Sequence, residues 1–177
     1  MDLKAFCFDI FYPDIVNESN STLTWFEYQK VDLLVPSNHA LHNAMHTPYE
    51  TLFGHKCDFK VNYRFYTREE GGRVFLPHQG IRCDFWYDHG DNGENQMFMI
   101  WPEFENSKGE IIFENDHPVP PAGTARMWII VPERRPHHYG HIKIGLLGYF
   151  REGAKKTAEC QIIEIVDLLD NPTANLK

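Results

Sequence analysis

From Cys57 onward, large apolar residues recur at every second position in short runs. "DFKVNYRFYT" alternates in this way, and "RCDFWYD", "QMFMIWPEF", "GEIIFEN", "TARMWIIVP", "HIKIGLLGYF" and "ECQIIEIVDLL" follow it. A period of two places every apolar side chain on one face of a strand. The runs are separated by "GDNG", "NSKG", "HPVPPAG", "ERRPHHYG" and "REGAKK", all rich in residues that turn the chain. Six or seven short strands with no helical pattern between them predict an antiparallel barrel or sandwich.

The first 55 residues read differently. "KAFCFDIFY" and "LTWFEYQKVDLLV" look like strands, with the polar "NESNST" as a loop between them. In "PSNHALHNAMHTPYE" the pattern predicts a short helix, capped by Ser37 or Asn38 and ended by Pro48. Ala40, Leu41, Ala44 and Met45 would then face the core. The expected organisation is an extension over 1–55, a β domain over 56–169 and a flexible tail over 170–177.

The stretch "TREEGGRVFLPHQGIRCDFWYD" interrupts the β pattern with charge and glycine. Gly71 and Gly72 permit positive φ where a hairpin must reverse. Gly80, just before a strand, permits a bulge or a close backbone approach.

Composition adds bounds. A chain of 177 residues, 42% hydrophobic and 14% aromatic, buries a core without staples, and its aromatics favour strands. The net charge of −8 argues against a general nucleic-acid binder. The charge is uneven: Asp88 to Asp116 holds eight acids and one base, and Arg126 to Lys156 holds seven bases and two acids. The second stretch is a candidate basic face. Cys7, Cys57, Cys83 and Cys160 form no CxxC pair, and the expectation is reduced thiols in a cytoplasmic protein. No apolar run approaches the ~20 residues of a membrane-spanning helix, so no membrane partner is expected.

Two histidine groups are candidate metal ligands. His39, His42 and His46 are spaced i, i+3, i+7 and would share one face of the short helix. His137, His138 and His141 lie in "RRPHHYGH" beside Arg134 and Arg135, and the simpler reading is a long exposed hairpin loop. Its basic residues and Tyr139 suit phosphate or RNA contact. No P-loop, nucleophile elbow, HExxH or paired-carboxylate signature appears, so no catalytic residue and no cofactor is expected.

"DFKVNYRFYTREEGGRVFLPHQGIRCDFWY" resembles the start of the third, C-terminal β-barrel domain of elongation factor Tu. In that family Glu-Gly-Gly-Arg is followed six residues later by Gly-Tyr-Arg-Pro-Gln-Phe-Tyr-Phe. Here Glu70, Gly71, Gly72 and Arg73 precede Gly80, Ile81, Arg82, Cys83, Asp84, Phe85, Trp86 and Tyr87 in the same register. "GYFREGAKKTAECQIIEIV" is similar to the family's closing Arg-Glu-Gly-Gly-Arg-Thr segment, through Arg151, Glu152, Gly153 and Thr157. The resemblance spans roughly 57–167. It implies a mostly-β fold: an antiparallel Greek-key barrel of about six strands, with an N-terminal β/short-helix extension.

The resemblance also implies RNA- or partner-facing roles for Arg73, Arg82, Arg151, Glu152 and Gly153. Asp84, however, stands where the family has glutamine, and a carboxylate repels phosphate. Ala154-Lys155-Lys156 replaces the second Gly-Arg, which keeps charge but loses the planar fork. The leading expectation is therefore a non-enzymatic module that binds a protein partner. An RNA-binding (tRNA-like) module using Arg73, Arg134, Arg135 and Arg151 is second. A small metal-binding protein or enzyme using the histidines is third.

Overall fold

The computed structural model describes residues 45–90 and 96–174, all within one compact unit, Pro36–Lys177. The expectations for the N-terminal strands, the capped helix before Met45, His39, His42 and Cys7 fall outside the described residues.

The protein is mostly β. Helix α1 (Tyr49–Phe53) precedes β1 (Phe59–Phe65), β2 (Asp84–Tyr87), β3 (Ile100–Phe104) and β4 (Ala122–Ile129). A 3₁₀ turn (Pro132–Arg134) and α2 (Arg135–His138) lead into β5 (Leu147–Glu152) and β6 (Lys155–Ile165). All strand pairs are antiparallel, in the order β2-β5-β6-β1-β4-β3. The sheet curls into a half-barrel, and its two edges approach where Phe85 and Phe98 exchange backbone hydrogen bonds of 2.9 Å each way. Register shifts at Lys60/Val61 and at Phe150/Arg151 mark bulges, which bend strands and sharpen the curl.

The period-two pattern becomes an inner and an outer face. Phe59, Val61, Tyr63 and Phe65 of β1 are buried, while Asn62 and Arg64 are exposed. They pack with Phe85, Tyr87, Ile100, Phe104, Met127 and Phe150. Gly148 of β5 leaves room for Phe85, because a Cβ there would stand 2.3 Å from Phe85 Cζ. Pro102 has no N–H to donate and sits in β3, which among the described residues pairs with β4 alone.

Strand β3 is buried on both faces, because the segment holding α1 covers its outside. Tyr49 sets its ring 6.3 Å from Trp101 and 6.0 Å from Trp128. His46 donates from Nε2 to Glu103 at 2.8 Å, and the Tyr49 N–H donates to the same carboxylate oxygen at 2.7 Å. Pro48 directly precedes α1. Met45, expected in the core, is instead 71% exposed, and His46, a candidate metal ligand, is buried. The reason is Glu103: a fully buried carboxylate must be paired, and His46 is the donor within reach.

Other segments also differ. "GEIIFEN" forms a single bridge, Glu105 to Ile111, and no strand. β1 and β2 do not pair, so the charged glycine turn between them is not a hairpin: it carries the chain from the centre of the sheet to its edge. "ERRPHHYG" is the 3₁₀ turn and α2, with Arg135 and His138 buried, where an exposed loop was expected. Asn171, in the stretch expected to be a flexible tail, is buried and donates to Lys56 O and to Asp58 Oδ1, each at 2.9 Å.

Candidate functional site

The turn after β1 is built by reciprocal capping. The Thr67 N–H donates to Glu70 Oε2 at 2.8 Å, and the Glu70 N–H donates to Thr67 Oγ1 at 3.3 Å. Arg64 clamps both Glu70 oxygens, at 2.9 and 3.1 Å, and this holds the Glu70 carboxyl below its usual pKa. Gly71 takes φ of 87°. Gly72 passes so close to β1 that a Cβ would fall 1.9 Å from Tyr66 O.

This turn lies against the β5–β6 hairpin. Arg73 pairs with Glu152 through Nη1, and Lys155 Nζ donates to Gly72 O at 2.7 Å. The Tyr66 N–H donates to Thr157 O at 2.9 Å. The two motifs singled out in the sequence are thus neighbours in space. Arg151 turns back onto its own hairpin, donating to Gly153 O at 3.2 Å and Ala154 O at 3.0 Å. Asp84 is its cross-strand neighbour. Burial raises the Asp84 carboxyl pKa, and Arg151 partly offsets this.

Immediately after Arg73, Val74 and Phe75 point outward, 63% and 80% exposed. Arg73 Nε donates to Phe75 O at 3.2 Å and fixes the loop that carries them. Neither residue stood out in the sequence, where the charges and glycines around them mark the stretch as a turn.

The remaining expected cations are dispersed. Arg82 lies over the Trp101 ring, 5.0 Å from its centroid. Arg134 is exposed at the end of the 3₁₀ turn. Arg135, expected to face RNA, is 1% exposed and bound to Asp58 inside the protein. This corrects that assignment: a guanidinium with several donors is the group best able to satisfy a buried carboxylate and nearby carbonyls together.

The second histidine group gathers around α2. His137 and His141 have ring centroids 5.1 Å apart, and each lies 5.4 Å from His89, which the sequence reading did not single out. His138 is buried and its Nδ1 shares a hydrogen bond of 2.7 Å with the Tyr87 hydroxyl. Its pKa is pushed down to about 3, by burial first and then by the neighbouring histidines and Arg134. Among the described residues, no three His, Cys, Asp or Glu side chains are arranged to hold a metal ion. Cys57, Cys83 and Cys160 are buried free thiols, and burial pushes the Cys57 thiol up to about 12.

The outer face of the sheet carries an aromatic row. Trp86, Tyr149, Glu159 and Arg64 are successive cross-strand partners over β2, β5, β6 and β1. The Trp86 and Tyr149 rings are 5.7 Å apart. Lys156 Nζ lies 3.8 Å from the Tyr149 centroid and 4.9 Å from that of Trp86. Arg64 lies 5.2 Å from the Tyr66 centroid.

These features define a mostly-β protein with a curled six-stranded antiparallel sheet and a structured polar joint between two turns. No protein-family model matches the chain, and neither does any curated protein.

Proposed function

We propose that this chain is a non-enzymatic interaction module of the elongation factor Tu barrel type, cytoplasmic, binding a protein partner at the surface around Val74 and Phe75. The observation that carries the reading is Phe75, 80% exposed on a loop that is anchored and not frayed. The loop is fixed by the Arg73–Glu152 pair, the Lys155–Gly72 bond and the Gly72 approach to Tyr66. An aromatic held outward on a rigid element forfeits its burial, and such residues are the usual anchors of protein interfaces. The barrel resemblance belongs to this reading. It is supported by the motif residues around Arg73 and Glu152 lying side by side.

Three of the four arginines named for RNA are engaged within the protein, which weighs against the RNA reading. Arg135 is internal, Arg151 is folded onto its own turn, and Arg73 is paired with Glu152.

A photo-crosslinking residue placed at position 75, at native abundance, is expected to capture one discrete protein. The same residue at exposed Glu114 is expected to capture none, and Val74→Asp is expected to abolish the product. Absence of any discrete product from position 75 would refute the assignment.

A further inference from the structure

The geometry points to a second binding site: an aromatic floor made of Trp86 and Tyr149 that takes a lysine-type ammonium of a protein partner, in place of the chain's own Lys156. Trp86 and Tyr149 are cross-strand neighbours on the outer face, where β1 carries the exposed Asn62 and Arg64. Both are half-buried, and their rings tilt by only 37°. Two large rings side by side form a surface with a shared negative face.

That surface already holds a cation. The Lys156 ammonium lies within 5 Å of both centroids, inside the range where ring quadrupoles attract positive charge. Lys156 is itself exposed and reaches the floor by a flexible stem. Its ammonium therefore stands in for an external one and shows that the floor fits an ammonium above both rings. Glu159, the next residue in the row, adds a carboxylate beside Tyr149.

An exposed cation–π contact is weak, so Lys156 is a removable occupant. Its competition raises the half-saturating concentration of an external cation by about two- to fivefold. The site rests on the protein-partner reading only for the source of the cation, and none of its residues belongs to the Val74–Phe75 surface.

The test uses the full chain, labelled with ¹⁵N. The Trp86 indole resonance is identified by its loss in Trp86→Phe. The probe is Nα-acetyl-Nε-trimethyllysine amide, with the neutral Nε-acetyllysine analogue as control. The expected result is a saturable shift of the Trp86 resonance in Lys156→Ala, with half-saturation about two- to fivefold below wild type. Tyr149→Leu in the same background is expected to weaken it, and the neutral analogue to leave the resonance unmoved. No saturable shift in Lys156→Ala, or an equal shift with the neutral analogue, overturns the site. A single-stranded oligonucleotide that shifts this resonance where the cation does not also overturns it, and assigns the floor to nucleobases. Because the probe is a lone cation, its failure leaves the crosslink from position 75 untouched, and failure of that crosslink leaves this titration untouched.

Discussion

Asp58 and Arg135, far apart in the chain, form an ion pair of 2.7 Å with both side chains essentially excluded from solvent. Asp58 also accepts from the Ile129 N–H at 2.7 Å and from Asn171 Nδ2 at 2.9 Å. Arg135 donates to Ile129 O, to His55 Nε2 and to Pro172 O. One pair therefore ties the start of β1, the end of β4, α2 and the segment after β6. Removing one partner leaves a buried charge without its counter-charge. Arg135→Ala is expected to destabilise by about 3–5 kcal/mol. Arg135→Lys is expected to recover only part of this, since a single ammonium cannot reach four acceptors. Urea unfolding measures both, and a loss under about 1 kcal/mol for Arg135→Ala would contradict the role assigned to the pair.

His138 predicts an acid-sensitive fold. Its pKa is about 3 in the folded protein against an ordinary 6.5. Between those values the unfolded chain binds a proton that the folded one refuses, so folding stability rises with pH across this window. The contribution is constant above about pH 6.5 and falls by up to ~1.4 kcal/mol per unit as pH drops toward 3. The His138→Gln variant is expected to flatten that slope in pH-dependent chemical unfolding, whatever its absolute stability.

Gly71 and Gly72 are expected to respond differently to alanine. At Gly71, φ of 87° penalises a Cβ but nothing lies within 4 Å of it, so the loss is about 1 kcal/mol. At Gly72 the Cβ meets the backbone of Tyr66, which cannot yield without moving β1. Gly72→Ala is expected to cost about 1–3 kcal/mol and to detach the turn from Lys155. Thermal unfolding separates the two variants, and faster amide exchange at Tyr66 is expected only for Gly72→Ala.

Gly148→Ala presses on the core from the sheet backbone. The added methyl group would stand 2.3 Å from Phe85 Cζ, and Phe85 is fully buried among other rings. Overpacking of this kind is expected to cost about 1–3 kcal/mol, read as a lowered urea midpoint with an unchanged slope. Adding Phe85→Leu is expected to restore part of the loss, because the smaller side chain vacates the contested volume.

The Arg73–Glu152 pair is partly exposed and contributes little to global stability. Glu152→Ala is expected to change it by less than about 1 kcal/mol. The same variant is expected to free the Val74–Phe75 loop and to reduce the position-75 crosslink in yield. A large stability loss without any change in the crosslink would show that the pair braces the sheet and not the loop.

The alternating runs around Phe59–Phe65 and Ala122–Ile129 were legible because period-two burial is a local property of an extended chain. So was the need for glycine at Gly71, since a reversal with positive φ is set within a few residues. "GEIIFEN" carries the same alternation yet forms only one bridge, because pairing depends on a partner that the pattern does not name. Arg135 was expected in an exposed loop, and nothing in the sequence marks His46 as the partner of a buried acid. They are buried because Glu103 and Asp58 are carboxylates on covered parts of the sheet, and a buried carboxylate must find a donor. Nothing in the sequence separates Phe75 and the pair Trp86–Tyr149 from the buried aromatics, since the fold decides which faces are covered. Local alternation and turn residues are enough to make this a mostly-β protein and to mark the segments of β1 to β6 along the chain. Which charges become internal struts and which side chains stay exposed follows from the folded arrangement, because burial is fixed by contacts between residues distant in the chain.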